Sequence, residues 1–291
     1  MSVQFERVPI MISVGGIDLN VRDDDGTEWV FDNLEGWHEG GGMDVPQEQR
    51  TVSHGHFPQP GHRRSIQPTI SGWVYSYDRT HVAAAVDRFA ALLAEGLFDS
   101  LSVKDDDTGI KTATVQRLGL SIEWLDPNLC RYQLQLLTTT PYKYGSTSSA
   151  STPFGTTPAG AGLVYPLHGG GALDYGPAGT TGSVTITNEG NASAPVKFTV
   201  EGPTPVDGFV ITDTLTGKTI TYLGAVPTDS TLVLDGSDGS VVIDGVADRL
   251  GDTIVQAWPT IGAGQSRDFL FTPLGGSTAA VLTAEVVATY W

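Results

Sequence analysis

Apolar and polar residues alternate with a period of two through most of this chain, which is the pattern of half-buried β-strands. The segment RVPIMISV places Val8, Ile10, Ile12 and Val14 on one side. Farther along, in LCRYQLQLLTTT, one side of the strand carries Cys130, Tyr132, Leu134 and Leu136. The other side carries Arg131, Gln133 and Gln135. Cys130 therefore falls on the apolar side, where a free cysteine acts as a small hydrophobic residue.

Two acidic turns interrupt these strands in the first half. GIDLNVRDDDGTEWVFDNL predicts a hairpin that turns at DDDG, and LSVKDDDTGIKTATV predicts a second hairpin with the same chemistry. Runs of aspartate also raise the possibility of calcium binding. An EF-hand loop needs spaced acids followed by a glutamate about twelve positions on, and neither run has that form. Asp and Gly are the residues that tight turns select, so we interpret both runs as turns.

One segment changes to the helical period. In DRTHVAAAVDRFAALLAEG, the residues Val82, Val86, Phe89 and Leu93 share one face, which predicts a helix over about 79–95. Either Asp78 or Thr80 serves as its N-cap, and Gly96 follows as the C′ residue.

The second half contains only short strand patterns. Residues 145–182 are dominated by small and turn-forming residues, which predicts a connector that also begins the next domain. Eight strands follow with turns at short, regular spacing, beginning with SVTITN and ending with AAVLTAEVVATYW. The sequence thus predicts a mainly β protein with three parts: a β-rich N-terminal domain with one helix at 1–145, a connector at 146–162, and a jelly-roll β-sandwich at 163–291.

Charge and composition exclude several classes of protein. The net charge is −17, and its two halves are similar: 12 Lys and Arg against 20 Asp and Glu in residues 1–145, and 4 against 13 in residues 146–291. Neither half offers the cations that specific nucleic-acid binding requires. No run of 18 apolar residues occurs, and MSVQFERVPI lacks the apolar core of a signal peptide, so we expect neither membrane insertion nor secretion by that route. One cysteine excludes an internal disulfide.

Catalytic motifs are absent or incomplete. HGGG at 168–171 is similar to the oxyanion loop of lipases, but that loop works beside a G-x-S-x-G nucleophile elbow, and the chain has none. Walker, H-E-x-x-H and C-x-x-C motifs are also missing. A glycosidase pair of carboxylates stays open, because nothing selects two acids from 33. We therefore expect no enzyme and no cofactor.

SHGHFPQPGHRRS, residues 53–65, holds three of the six histidines. His54 and His56 would lie on one side of a strand, and His62 could complete a zinc site. Against this, Pro58, Pro60 and Gly61 indicate a loop, and the adjoining arginines oppose a cation. We interpret the segment as a long polar hairpin or arm that leaves the sheet and contacts a neighbouring protein chain. The expected contact residues are His54, His56, Phe57, His62, Arg63 and Arg64.

The order of motifs resembles a known family. VGGIDLNV is followed by WVFDNLEGWHEGGGMDV, the arm, HRRSIQPTISGWVYS and the single helix, and then by PVKFTVEGPTPVDGFVITDTLTGKTITYLG and a terminal VVATYW. This order is similar to that of the distal tail proteins (Dit) of long-tailed bacteriophages, the siphoviruses, also called minor tail proteins. The C-terminal half carries the most specific likeness, in Asn188, Gly190, Pro195, Phe198, Gly202, Thr216, Gly217 and Asp235.

The resemblance implies a structural role in the virion. Such proteins form a ring at the tail tip, commonly a hexamer, assembled in the host cytoplasm. Their N-terminal, sandwich- or barrel-like domain makes the ring between the tail tube and the tail-tip hub or baseplate. Their galectin-like C-terminal sandwich faces outward and in some relatives carries receptor-binding parts. The family has no catalytic residues to carry over.

A carbohydrate-binding protein for host-surface recognition is the alternative from another class. Six tryptophans and nine tyrosines could stack on saccharides, although only Trp258 and Trp291 fall in the predicted sandwich. A monomer whose second domain binds glycans alone would favour this alternative.

The arm yields a direct prediction about metal. Purified protein should contain no stoichiometric zinc by elemental analysis, because the histidines lie in a proline-broken loop beside two arginines. Stoichiometric zinc that disappears in His54→Ala would contradict this interpretation.

Overall fold

The computed structural model describes residues 11–57, 59–105, 108–155, 181–276 and 278–291. Over these residues the protein is mainly β-structure with one α-helix. It divides into two compact units, Met1–Gly145 together with Tyr290 and Trp291, and Ser146–Thr289.

An open antiparallel sheet forms the centre of the first unit. Its elements are β1 (Met11–Val14), β2 (Ile17–Leu19), β3 (Glu28–Glu35), β4 (Met43–Asp44), β5 (Glu48–Gln49), β6 (His56–Phe57), β7 (His62–Arg63), β8 (Thr69–Tyr75), α1 (Arg79–Ala91), β9 (Asp99–Asp105), β10 (Gly109–Asp126) and β11 (Leu129–Thr138). The strand order is β2-β1-β9-β10-β11-β8-β3. No closed barrel occurs among the described residues, and the mainly β fold with one helix that the sequence predicts for this domain is confirmed as an open sheet.

Helix α1 covers one face of this sheet. Val82, Ala85 and Phe89 are buried on the helix. The alternation predicted for β11 is confirmed, because Cys130, Tyr132, Leu134 and Leu136 are all buried while Arg131, Gln133 and Gln135 are exposed. Burial also raises the pKa of the Cys130 thiol. Three rings from different elements meet here: Phe89 lies 4.9 Å from Tyr132 and 5.4 Å from Trp29 between ring centroids.

The helix ends earlier than its sequence pattern predicts. Asp78 is the N-cap, and its carboxylate accepts from the Thr80 backbone N–H at 2.9 Å. The last helical residue is Ala91, not residue 95, and Leu93 adopts a φ of +52°. Arg117 on β10 explains the position of this end. Its Nη1 donates to the carbonyls of Ala90 and Leu92 at 2.7 and 2.9 Å, so a cation satisfies the terminal acceptors.

The first acidic turn joins two strands that are less paired than predicted. Ile17–Leu19 pairs with β1, and only the residues nearer the turn meet β3: Arg22 forms a bridge with Glu28, and the Trp29 N–H donates to the Val21 carbonyl at 2.9 Å. The reason is the Gly15–Gly16 turn, which folds β2 directly back on β1. The expected hairpin over 17–31 is therefore present next to its turn, whereas the prediction is wrong for Ile17–Leu19, which pairs with β1.

Asp23 in this turn has a structural task. Its Oδ2 accepts from the indole Nε1 of buried Trp29 at 3.1 Å and from Arg88 Nη2 on α1 at 2.6 Å. Arg88 also lies over the Trp29 ring, 5.4 Å from its centroid. The turn, the helix and the core indole are thus joined by one carboxylate.

The second unit is a two-sheet β-sandwich, as predicted. Its elements are β12 (Lys143–Pro153), which begins in the first unit, β13 (Ser183–Thr187), β14 (Ala194–Glu201), β15 (Phe209–Asp213), β16 (Thr219–Tyr222), β17 (Thr231–Asp235), β18 (Ser240–Ile243), β19 (Ala247–Asp248), β20 (Thr253–Val255), β21 (Thr260–Ile261), β22 (Ser266–Pro273) and β23 (Val281–Tyr290). One sheet has the order β19-β18-β17-β14-β23-β12, and the other has β13-β22-β15-β16-β20. Phe198 of the first sheet meets Phe269 of the second edge-to-face at 5.0 Å.

A buried amide closes the first turn of this sandwich. Asn188 is fully buried, and its Nδ2 donates to the carbonyls of Ala192, Ile261 and Gly262 at 2.7–3.3 Å. Its Oδ1 accepts from the Gly190 N–H at 2.9 Å. Gly190 is required because a Cβ there would lie 2.0 Å from the Thr289 carbonyl oxygen.

The first part of the predicted connector at 146–162 forms a strand. Residues 146–153 belong to β12, and the Ser151 hydroxyl lies 2.8 Å from that of Thr283 on β23. The small polar residues of this stretch form a strand because they pair with β23, in which buried and less buried residues alternate. Residues 156–162 and the HGGG segment lie outside the described residues. The domain boundaries therefore stay a prediction.

No helix in the described part of the chain is long and apolar enough to cross a membrane.

Asp23→Ala should lower the free energy of unfolding of the first unit by about 1–2 kcal/mol, because the buried indole N–H loses its acceptor. Chemical denaturation followed by tryptophan fluorescence measures the change. Asp24→Ala is the matched control, since Asp24 is the exposed neighbour in the same turn. Equal stability of the two variants would contradict the task assigned to Asp23.

Candidate assembly surface

A β-ribbon leaves the first unit between β3 and β8. β4 pairs with β7 (Met43 opposite Arg63), and β5 pairs with β6 (Gln49 opposite His56). From Met43 to Gln49 the ribbon extends roughly 20 Å at the usual rise of a strand. The long polar hairpin predicted from the sequence is therefore present, and we refer to residues 42–64 as the arm.

The arm is exposed along its described length. All of residues 42–57 are exposed, including the apolar side chains of Met43, Val45, Val52 and Phe57. Val52, at the tip, is 96% exposed. An isolated two-stranded ribbon is marginally stable in water, and this one presents apolar side chains without a core of its own. The apolar side chains of the arm are thus left exposed to solvent in the single chain.

The six expected contact residues are distributed along this arm. His54 lies in the tip turn, His56 and Phe57 form β6, His62 and Arg63 form β7, and Arg64 follows at the root. His54 therefore does not share a strand with His56, which is the arrangement that the zinc alternative assumed. Among the described residues, no group of three or more His, Cys, Asp or Glu side chains could hold a metal ion.

The root of the arm is fixed to the first unit. The Arg64 N–H donates to the Gly42 carbonyl at 2.8 Å, and a Cβ at Gly41 would lie 1.7 Å from the Arg64 carbonyl oxygen. The Arg63 guanidinium lies over the Trp291 ring, 4.6 Å from its centroid, and Trp291 in turn packs on Tyr142 at 4.7 Å. The contacts of Arg63 with Trp291 and of Trp291 with Tyr142 thus hold the arm at its base.

A buried cation lies beside this root. Lys143 Nζ donates to the Trp37 carbonyl at 2.9 Å. Burial lowers the pKa of Lys143, and the positive charges of Lys111 and Arg63 lower it further. Lys111 itself lies over the Tyr290 ring at 4.6 Å. The base of the arm is therefore a cationic and aromatic cluster within an acidic protein.

β10 has an open edge. It pairs with β9 from Gly109 to Val115 and with β11 from Val115 to Asp126. Beyond Val115 no described strand pairs with its other side. Backbone N–H and C=O groups on such an edge are a ready template for another strand. Leu118 and Leu125 lie at the two bulges of this stretch and are 53% and 50% exposed.

The face of the sheet opposite α1 is polar. A shallow cavity of about 350 Å³ on this face is lined by Asp32, Asn33, Glu35, Ser71, Ser121, Glu123, Arg131, Tyr132 and Gln133. Three carboxylates face one guanidinium there, so the face carries net negative charge. Such a surface repels polyanions such as DNA.

Open strand edges are expected of a β-rich domain such as this one, but sequence reasoning did not locate the open edge on β10 and missed the role of Trp291. A difference in strand length could have revealed the edge. β10 has 18 residues, whereas its neighbour β9 has 7 and covers only the first part of it. Trp291 gave no signal, because its contact with Arg63 joins positions far apart in the chain.

Comparison with solved structures shows which known proteins have a similar fold. The SPP1 Dit protein, described as a paradigm of the hub adsorption apparatus in phages that infect Gram-positive bacteria, matches with a TM-score of 0.68 and 12% identity, over 97% of this chain and 100% of that chain. The chain shares its fold with SPP1 Dit. Two structures of the phage P2 baseplate in its activated conformation, with Ca and with Sr, match with TM-scores of 0.51 and 0.50 at 10% identity, over 95% of this chain and 97% of theirs.

No protein-family model and no curated protein matches the chain. The resemblance to distal tail proteins is confirmed at the level of the fold, at 10–12% sequence identity.

Trp291→Ala should loosen the arm. Loss of the Arg63–Trp291 contact, worth about 0.5–2 kcal/mol, corresponds to roughly 2- to 30-fold faster amide exchange in β4 and β7. Hydrogen exchange with mass spectrometry measures this. Trp124→Ala is the control, because Arg79 contacts that ring at 5.7 Å far along the chain from the arm. Equal exchange in both variants would show that Trp291 does not hold the root.

Proposed function

We propose that this protein is a structural component of the tail tip of a long-tailed bacteriophage. In this role it forms a ring that joins the tail tube to the tail-tip hub or baseplate and bears an outward β-sandwich. The observation that carries the proposal is the likeness to SPP1 Dit over nearly the whole of both chains. The proposed place of the protein is the tail tip of the virion, after assembly in the host cytoplasm. This role needs no catalytic residue and no cofactor.

The open edge of β10 supports a ring. A strand edge of one subunit can pair with a different edge of the next, and such head-to-tail contacts close into a ring when the rotation allows. The opposite edge of the same sheet is β3, where Val21 and Asn20 already accept from the first half of the strand and leave the stretch after Phe31 uncovered. We assign the contact between subunits to residues 116–126 of one copy and residues 32–35 of the next.

The arm supports a second contact. It leaves the sheet shortly after β3, so it begins beside the edge assigned to the neighbour. Its exposed apolar side chains, with the Phe57 ring under Arg50 at 5.3 Å, suit a groove on an adjoining subunit or tail protein. His54, His56, Phe57, His62, Arg63 and Arg64 remain the residues proposed for that contact.

The polar face suits the inside of the ring. Since α1 covers the apolar face of the sheet, the uncovered face with Asp32, Glu35 and Glu123 is left for the lumen. A negative wall lets DNA pass without binding to it. The alternative of a free carbohydrate-binding protein explains neither the arm nor the open edge.

Oligomer mass in the full-length protein tests the proposal. Leu118→Lys combined with Leu125→Lys should weaken self-association by roughly tenfold or more, because edge lysines block strand pairing. Light scattering across a concentration series, alone and with tail-tube and hub proteins, measures the mass.

Ile110→Lys is the matched control. Ile110 is 55% exposed on the same strand, but it lies in the half that β9 already covers. The control should assemble like the native protein. Equal assembly of the double variant and the control would contradict the assignment of the ring contact to this edge.

A further inference from the structure

The second unit contains a small cavity at which charged groups and an indole meet. Its volume is about 180 Å³, and its polar lining comes from Asp213, Thr216, Lys218, Thr260 and Arg267. Ligand pockets for drug-sized molecules are roughly 300–1,000 Å³. This cavity therefore suits a single ring with one substituent.

Cations are concentrated here against the charge of the unit. Residues 146–291 contain four Lys and Arg residues, namely Lys197, Lys218, Arg249 and Arg267, against thirteen acids. Two of the four line this one cavity, and one acid, Asp213, lines it with them. In a strongly acidic domain this is a local site of positive charge.

The carboxylate of Asp213 is already fully used. It accepts from the Leu215 N–H at 3.0 Å, from the Thr216 hydroxyl at 2.9 Å, and from Arg267 Nη1 at 2.9 Å. Both side chains of the ion pair are about nine-tenths buried, with 8% of Asp213 and 12% of Arg267 exposed. Asp213 thus fixes the guanidinium in place and has little capacity left for a ligand.

Donor groups remain in excess. Arg267 Nη2 reaches the Thr260 carbonyl only at 3.5 Å, and its buried Nε has no hydrogen-bond partner among the described residues. Lys218 is exposed at the rim and belongs to none of the ion pairs found there. A site with unused donors and positive charge selects an acceptor-rich anion, and a planar guanidinium suits carboxylate or phosphate.

Trp258 supplies the apolar wall. It is half-buried, packs against the core of the sandwich and lines the cavity, whose floor includes Phe198 and Phe269. An indole beside oriented polar groups is the combination that binds the apolar face of a sugar ring while its substituents are hydrogen-bonded.

We infer that this cavity binds one unit of an acidic saccharide, a sugar ring that carries a carboxylate or a phosphate. The ring lies against Trp258, and the acidic group faces Lys218 and Arg267. The inference goes beyond the proposed scaffold role and does not depend on it, because every residue involved belongs to the second unit.

Titration of the full-length protein tests the inference. The probes are glucuronic acid and glucose 6-phosphate, with methyl glucoside as the neutral ring and acetate and inorganic phosphate as the bare anions. Calorimetry and ligand-observed NMR should show at least one acidic sugar binding roughly tenfold more tightly than both the neutral ring and its bare anion.

Variants locate the site. Lys218→Gln and Trp258→Leu should each weaken that binding roughly fivefold or more, whereas Lys197→Gln, which removes the same charge outside the cavity, should leave it unchanged. Thermal unfolding checks that each variant is folded. If Trp258→Leu does not fold, the binding measured for Lys218→Gln alone tests the site, because Lys218 is exposed and its substitution leaves the core intact.

Three results would overturn the inference. One is that neither acidic sugar binds more tightly than methyl glucoside. Another is that the bare anion binds as tightly as the sugar, which would indicate a site for an acidic side chain of a partner protein. The third is binding that survives Lys218→Gln unchanged.

Discussion

The unpaired edge of β10 is the constraint from which the proposed assembly follows. Backbone groups of a strand must be hydrogen-bonded to a neighbour or to water, and from Gln116 to Asp126 the described chain offers a partner on one side alone. The stretch is held in place rather than left to fray, because Arg117 binds the end of α1 and Leu120 and Ile122 pack against the core. A long, fixed and unpaired edge promotes aggregation of a free monomer, whereas in a closed ring it pairs with the next subunit.

The other features of the first unit agree with such an arrangement. Its apolar face is covered by α1, its opposite face is polar and acidic, and its arm projects exposed apolar side chains from a fixed root. The aromatic and cationic contacts at Trp291 explain how a marginally stable ribbon keeps its direction before it meets a neighbour. The second unit differs, since its two sheets enclose a complete core and its amide network at Asn188 leaves no polar group of that side chain unpaired.

Within the described residues, local patterns in the sequence predicted most strands, the helix and the sandwich correctly, because periodic burial of apolar residues determines each of them. They failed where contacts with distant residues determine the end of an element or its pairing. Arg117 ends α1 four residues early, and the glycine pair before Ile17 redirects β2 to β1. The cavity beside Trp258 was equally hidden, since Asp213, Trp258 and Arg267 come from separate segments that only the sandwich brings together.

Hydrogen exchange on the assembled protein tests the central claim most directly. The account predicts that amides between Gln116 and Asp126 that exchange freely in the dissociated chain become protected on assembly, together with those after Phe31 on β3. Amides between Gly109 and Val115, where β10 pairs with β9, should exchange at the same rates in the dissociated and the assembled protein. Assembly that leaves the exchange of residues 116–126 unchanged would contradict the account.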